Sequence, residues 1–93
     1  MVFLDSSPVI YFVEQPPKWG AEAAARIAAM RGAGEQLVVS DLVRMESYVG
    51  PLKASDSKLL ADFATFFGAR YVTVLPITAV VCDRAARIRA QWP

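Results

Sequence analysis

Three short apolar runs, rich in β-branched residues, constrain the fold of this chain most strongly. They occupy positions 2–4, 37–39 and 71–75, and a stretch of helical character follows each of them. Runs of this length are typical of buried strands, and parallel strands need a crossover, usually helical, to connect them. The pattern therefore predicts the element order β-α-α-β-α-α-β-α and an α/β fold in which helices cover a parallel sheet. The third run alternates Tyr and Thr with Val, which suits a strand at a sheet edge.

Start and stop signals predict the bounds of five helices. We expect them over residues 7–14, 19–31, 42–49, 55–67 and from 78 onward. The third helix is expected to end at Gly50-Pro51, because proline breaks the helical hydrogen bonding. Leu42, Met45 and Val49 fall at i, i+3 and i+7 in this helix, which predicts that they form its buried face.

Composition limits the chemistry that this chain can perform. The 93 residues suit one small domain, and an apolar fraction of 55% excludes a disordered chain. There is no histidine and only one cysteine, Cys82, which excludes Ser-His-Asp and Cys-His catalysis, imidazole-bound metals and cysteine zinc sites. Any chemistry would depend on carboxylates, with or without a hard cation. The net charge of +1 means that contacts to a polyanion would come from local arginine and lysine clusters.

The sequence shows no targeting or membrane segment. Its first apolar run is short and has no basic leader, so it does not resemble a signal peptide. No later apolar run approaches the roughly 20 residues that span a bilayer. We therefore expect a cytoplasmic protein.

Two acidic residues are placed where their side chains could meet. Asp5 directly follows the first predicted strand, and Glu46 lies in the helix after the second, on the same face as Leu42. We expect this face, and with it the carboxylate of Glu46, to point inward. If the two strands are neighbours, both carboxylates lie at the same rim of the sheet, where α/β proteins bind ligands.

Two carboxylates in one site need a compensating group. At a separation of about 5 Å and an effective dielectric constant of about 20 they repel by roughly 3 kcal/mol. A shared proton, an arginine or a divalent cation would offset this repulsion. Mg²⁺ or Mn²⁺ suits oxygen ligands and usually keeps bound waters, one of which can attack a phosphodiester.

Each candidate residue also has a structural explanation. Asp5 could serve only as the cap of the first helix. Glu46 could form an ion pair with Arg44 or Arg26 instead of binding a ligand. The arginines of the last helix, among them Arg84 and Arg87, suit a solvated face better than an RNA groove.

Two stretches resemble the first two acidic motifs of PIN-domain ribonucleases, with VapC-type toxins of bacterial toxin-antitoxin pairs as the nearest match. They are VFLDSSPVIY at residues 2–11 and VSDLVRME at residues 39–46. The resemblance implies a three-layer, Rossmann-like α/β fold and RNA cleavage by water activated on Mg²⁺ or Mn²⁺. It makes Asp5 and Glu46 both metal ligands and catalytic residues. The partners that it implies are an RNA substrate, a VapB-like antitoxin and a second copy in a homodimer.

The chain also departs from the family pattern. The remaining acids of the family would lie beyond Pro93, and neither Asp62 nor Asp83 has a matching sequence context. We therefore expect residues 1–93 to form a single PIN-like domain truncated before its third acidic motif, with the C-terminal strands missing and the edge of the first strand unpaired. This suggests a second hypothesis, a catalytically incomplete remnant that acts as an antitoxin-binding or dimerisation module. A third is a small ligand-binding α/β domain in which Asp5 is only a cap.

Overall fold

The element order predicted from the sequence is confirmed in the computed structural model, which describes residues 1–91 except for the side chains at positions 81 and 85. The elements are β1 (Val2–Phe3), α1 (Ser6–Glu14), α2 (Gly20–Gly32), β2 (Leu37–Ser40), α3 (Asp41–Lys53), α4 (Ser57–Phe67), β3 (Val72–Leu75) and α5 (Ala79–Gln91). Within residues 1–91 no helix has the length and apolar character needed to cross a membrane.

The three strands form one parallel sheet in the order β1-β2-β3. Val2 pairs with Leu37, which in turn pairs with Val72, so the first and second strands are neighbours as predicted. The central strand β2 is buried at its first three residues, as expected for a strand covered on both faces. β3 lies at one edge of the sheet, as its alternating sequence predicted, and β1 lies at the other.

One face of the sheet carries the main core. It contains Leu37 and Val39 of β2 and the aromatic residues of α4, of which Phe63 is fully buried. Because side chains alternate along a strand, Phe3 and its neighbour Val38 point to the other face. Helix α5 passes over that face beside β1, where the Arg84 guanidinium lies 5.2 Å above the Phe3 ring.

Helix α3 differs from its prediction in length and in the face that it buries. It continues through Gly50-Pro51 to Lys53, and its buried residues are Val43, Ser47 and Pro51. Only one helical hydrogen bond is lost at the proline, and the ring is itself buried. The prediction that Leu42, Met45 and Val49 face the core is wrong, because all three are exposed.

The actual stop of α3 is Ser55, which adopts a left-handed conformation with φ of 52°. The Asp56 amide donates to the Pro51 carbonyl at 2.9 Å, and the Ser55 amide donates to the Leu52 carbonyl at 3.3 Å. This is the Schellman arrangement that satisfies the last carbonyls of a helix. A serine in the position usually held by glycine conceals this stop signal in the sequence.

Two side chains at the carboxyl ends of the strands cap the helices that follow. Asp5 has extended backbone geometry, and its carboxylate accepts a hydrogen bond of 2.9 Å from the Ser6 amide at the start of α1. The Ser40 hydroxyl accepts one of 3.3 Å from the Val43 amide in α3. The structural explanation for Asp5 as a cap is therefore confirmed.

The cap and the charge of Asp5 can be separated by two substitutions. Asparagine caps a helix as well as aspartate does, whereas alanine cannot. Asp5→Ala should therefore lower the free energy of unfolding by about 1 kcal/mol, and Asp5→Asn should lower it by less than half of this. Urea denaturation measures both values. Equal losses in the two variants would show that the charge, and not the cap, stabilises the fold.

Candidate metal centre

Asp5 and Glu46 line the same cavity, which has a volume of about 110 Å³. The cavity lies at the carboxyl ends of β1 and β2. Its other polar wall residues are Ser40, the last residue of β2, and Arg89 from α5. The structure thus brings together the two acids that the sequence indicated, although they are far apart along the chain.

Parallel pairing of β1 with β2 causes this convergence. Phe3 pairs with Val38, and the Leu4 amide donates to the Val38 carbonyl at 2.9 Å, so both strands end at the same rim. Asp5 follows β1 at this rim. Helix α3 begins directly after Ser40, and Glu46 lies in its second turn on the side of the cavity.

Both carboxylate oxygens of Asp5 have partners. Oδ1 accepts a hydrogen bond from the Ser6 amide of the cap, and Oδ2 forms an ion pair with Arg89 Nε at 3.0 Å. The Asp5 side chain is 41% exposed and that of Arg89 is 73% exposed. An ion pair this open to solvent contributes only about 0–1 kcal/mol, so the Arg89 guanidinium can be displaced at little cost.

Glu46 borders the cavity from the exposed side of α3. The expectation that it faces the core is wrong, because Val43 and Ser47 occupy the inner face of the helix. Neither ion pair considered for Glu46 forms: Arg26 pairs with Glu22 at 2.9 Å, and Arg44 lies over the Tyr48 ring. Within the described part of the chain, Glu46 has no hydrogen bond or ion pair, so its carboxylate is available to a ligand.

The donor set of the cavity fits a hydrated hard cation. Asp5 and Glu46 provide carboxylate oxygens, the Ser40 hydroxyl lies in the same wall, and the cavity has room for several waters. Residues 1–91 show no cluster of three or more histidine, cysteine or acidic side chains that could hold a metal. Waters would therefore complete the coordination, as they usually do for Mg²⁺.

Sequence reasoning missed Ser40 and Arg89 as parts of this site. Ser40 caps α3, and as the residue that ends a parallel strand it also lies at the ligand-binding rim. Arg89 could not be assigned, since nothing in the sequence shows where α5 docks. Asp62 lies outside the cavity and accepts a hydrogen bond from Lys58 on α4, which raises the pKa of Lys58 above its ordinary value.

Comparison with known families agrees with this geometry. No curated protein and no solved structure gives a significant match to the chain. The model of the PIN domain matches residues 2–91, which cover all three strands and all five helices. PIN domains are generally metal-dependent nucleases. A match over nearly the whole sequence, together with the parallel sheet, shows that this chain belongs to the PIN-domain family.

Proposed function

We propose that this chain is a metal-dependent endoribonuclease of the VapC toxin type. It would hydrolyse RNA phosphodiesters with Mg²⁺ or Mn²⁺ held by Asp5 and Glu46. The observation that carries the proposal is the convergence of these two carboxylates on one cavity at the rim of the sheet. Membership of a family of metal-dependent nucleases supports it.

Each polar residue of the cavity would have its own role in such a site. Mg²⁺ or Mn²⁺, when bound, supplies a Lewis acid and lowers the pKa of a coordinated water. Asp5 is held in place by the Ser6 amide, so one carboxylate oxygen stays fixed while the other is shared with the exposed Arg89. Glu46 has no described partner and is free to bind the cation or to accept a proton from the attacking water. Arg89, once displaced from Asp5, is placed to contact a phosphate oxygen.

The likeness of residues 2–11 and 39–46 to VapC-type motifs supports the proposed partners. We propose a single-stranded or structured RNA substrate, a VapB-like antitoxin that covers the acidic cavity, a homodimer, and a cytoplasmic location. We also propose that residues 1–93 act as one PIN-like domain.

A second candidate function is a non-catalytic module that keeps an antitoxin-binding or dimerisation surface. It is favoured by the small donor set, because only two carboxylates line the cavity and Arg89 already pairs with one of them. Cleavage of a phosphodiester needs strong charge compensation at the phosphate, and two acids hold one cation loosely.

RNA cleavage separates these two candidates. With labelled single-stranded RNA and Mg²⁺ or Mn²⁺, the wild type should cleave and EDTA should abolish cleavage. Loss of a residue that only orients a metal ligand costs about 10–100-fold, so Asp5→Asn and Glu46→Gln should each lower the rate by about 100-fold or more. Asp62→Asn, on α4 and outside the cavity, is the matched control and should retain the wild-type rate.

Two outcomes of this assay would count against the proposed nuclease site. A wild type without activity under all these conditions would favour the non-catalytic module. Wild-type rates in Asp5→Asn would show that the cavity is not the site of cleavage, whatever the source of the activity.

Arg89 should compete with a cation for Asp5. Removing an exposed ion pair worth up to about 1 kcal/mol predicts that Arg89→Ala binds Mn²⁺ about two- to fivefold more tightly than the wild type. Electron paramagnetic resonance of free Mn²⁺ measures this affinity without any requirement for cleavage. Arg87→Ala, on the same helix but outside the cavity, should leave it unchanged. Weaker binding in Arg89→Ala would mean that Arg89 supports the site and does not compete with the cation.

A further inference from the structure

A second cavity, with a volume of about 240 Å³, lies between helices α1 and α2. It shares no wall residue with the candidate metal centre. Its wall residues come from one side of each helix and include Ser7, Pro8, Tyr11, Trp19, Ala23 and Arg26. The space exists because the buried residue on the α2 side, Ala23, has a small side chain between much larger neighbours. We call this cavity the α1-α2 cleft.

The α1-α2 cleft contains two stacked aromatic rings that are partly open to solvent. The ring centroids of Tyr11 and Trp19 are 6.1 Å apart, and their planes are inclined by 18°. Trp19 is 43% exposed, and Tyr11 is half-buried. An aromatic side chain gains from stacking on a further ring, because this removes apolar area from water. Trp19 therefore has surface left for a flat ligand.

The loop between α1 and α2 fixes the position of Trp19. Gln15 ends α1 in a left-handed conformation with φ of 53°, and the Gly20 amide donates to the Pro16 carbonyl at 2.8 Å. A Cβ atom at position 20 would lie 2.7 Å from the Gln15 backbone, so the two helix ends approach this closely only because glycine is present. The Trp19 backbone is thus held in place before a ligand binds, which lowers the entropic cost of binding.

Two cations border the rings of the α1-α2 cleft. Lys18 Nζ lies 4.8 Å from the centroid of the Trp19 ring, and Lys18 forms no ion pair within the described part of the chain. Arg26 pairs with Glu22 at 2.9 Å, but both of these side chains are more than half exposed. Exposed ion pairs and exposed cation-π contacts are weak. Both cations can therefore exchange their present contacts for a phosphate.

Shared wall residues connect the α1-α2 cleft with the candidate metal centre. Pro8 and Arg26 line both the cleft and a third cavity, of about 320 Å³, beside β1. Asp5 and Arg89 line both this third cavity and the cavity that holds Glu46. The three cavities therefore follow one another along the surface, so a single extended ligand can reach from the carboxylates to the stacked rings.

We propose that the α1-α2 cleft is a nucleobase subsite, in which a base of single-stranded RNA stacks on Trp19 while Lys18 and Arg26 contact phosphates of the same strand. Aromatic rings beside basic side chains are the combination that binds single strands through stacking and charge. The cleft is smaller than the roughly 300–1,000 Å³ of sites for drug-sized ligands, which suits one base. The proposal rests on RNA as the substrate proposed above, and it adds a contact outside the metal centre that positions the strand.

The fluorescence of Trp19 tests the stacking. A Trp92→Phe background leaves Trp19 as the sole tryptophan. In EDTA, which prevents metal-dependent cleavage, a short single-stranded RNA should quench the Trp19 emission to saturation, because a base stacks on the indole ring. Polyphosphate of the same charge should leave the emission unchanged, since it carries no base.

The anisotropy of labelled RNA measures how much Trp19 contributes to binding. Trp19→Ala should weaken RNA binding by about five- to 150-fold, the range for loss of one stacked base. Trp19→Phe keeps an aromatic face and should retain most of the affinity. Leu52→Ala, which shortens an exposed apolar residue on α3 outside the cleft, is the matched control and should bind as the wild type does. Circular dichroism checks that each variant is folded.

The salt dependence of binding separates the phosphate contact of Lys18 from stacking. On a single strand, each phosphate contact adds about 0.7 to the steepness with which the logarithm of the affinity falls with the logarithm of the salt concentration. Lys18→Gln should therefore reduce this slope by about 0.7. Trp19→Ala should leave the slope unchanged while the affinity falls, because its contact is to a base.

The outcomes distinguish failure of the subsite from failure of the nuclease. Unchanged RNA affinity in Trp19→Ala, or equal quenching of Trp19 by polyphosphate, would overturn the subsite even if the wild type cleaves RNA. The first result together with lower stability would show that the Tyr11-Trp19 stack only holds α1 against α2. A wild type that binds no RNA would also overturn the proposal. An RNA that quenches Trp19 but is not cleaved with Mg²⁺ or Mn²⁺ would support the subsite and contradict the proposed nuclease.

Discussion

The pairing of β1 with β2 is the interaction on which the candidate site depends. It is short: Val2 pairs with Leu37 and Phe3 with Val38. The Val2 amide donates to the Gln36 carbonyl just before β2 at 2.8 Å, and the Leu4 amide donates to the Val38 carbonyl at 2.9 Å. These few hydrogen bonds place Asp5 at the rim where α3 begins. Because β1 is an edge strand of only two residues, the convergence of the acids depends on a small part of the fold, and loss of this pairing would separate them.

Asp5 makes a different contact with each of its two carboxylate oxygens. Its carboxylate caps α1 through one oxygen and binds the Arg89 guanidinium through the other. Arg89 offsets part of the negative charge that Asp5 and Glu46 place in one cavity. In the proposed function a divalent cation offsets the same charge, which makes arginine and metal alternatives at a single carboxylate.

The sequence predicted the order of the elements, the parallel sheet and the meeting of Asp5 with Glu46, because short apolar runs and helix caps are local signals. It could not predict which face of α3 is buried. Both faces of that helix carry apolar residues, and packing against α4, α1 and the sheet buries the face with Val43, Ser47 and Pro51. The sequence could not predict where α5 docks either, because Arg84 and Arg89 contact β1 and Asp5, which are far away along the chain.

Paramagnetic broadening by Mn²⁺ in the ¹⁵N-¹H spectrum of the full chain tests most directly whether Asp5 and Glu46 form one cation site. Substoichiometric Mn²⁺ should broaden the amide signals of residues 4–6 and of residues 40–46 together, because both segments border one cavity. Broadening of only one of these segments, or a maximum around Asp56 and Asp62 on the α4 side, would contradict the account. In that case the fold and the family would stand without a metal centre at the rim of β1 and β2.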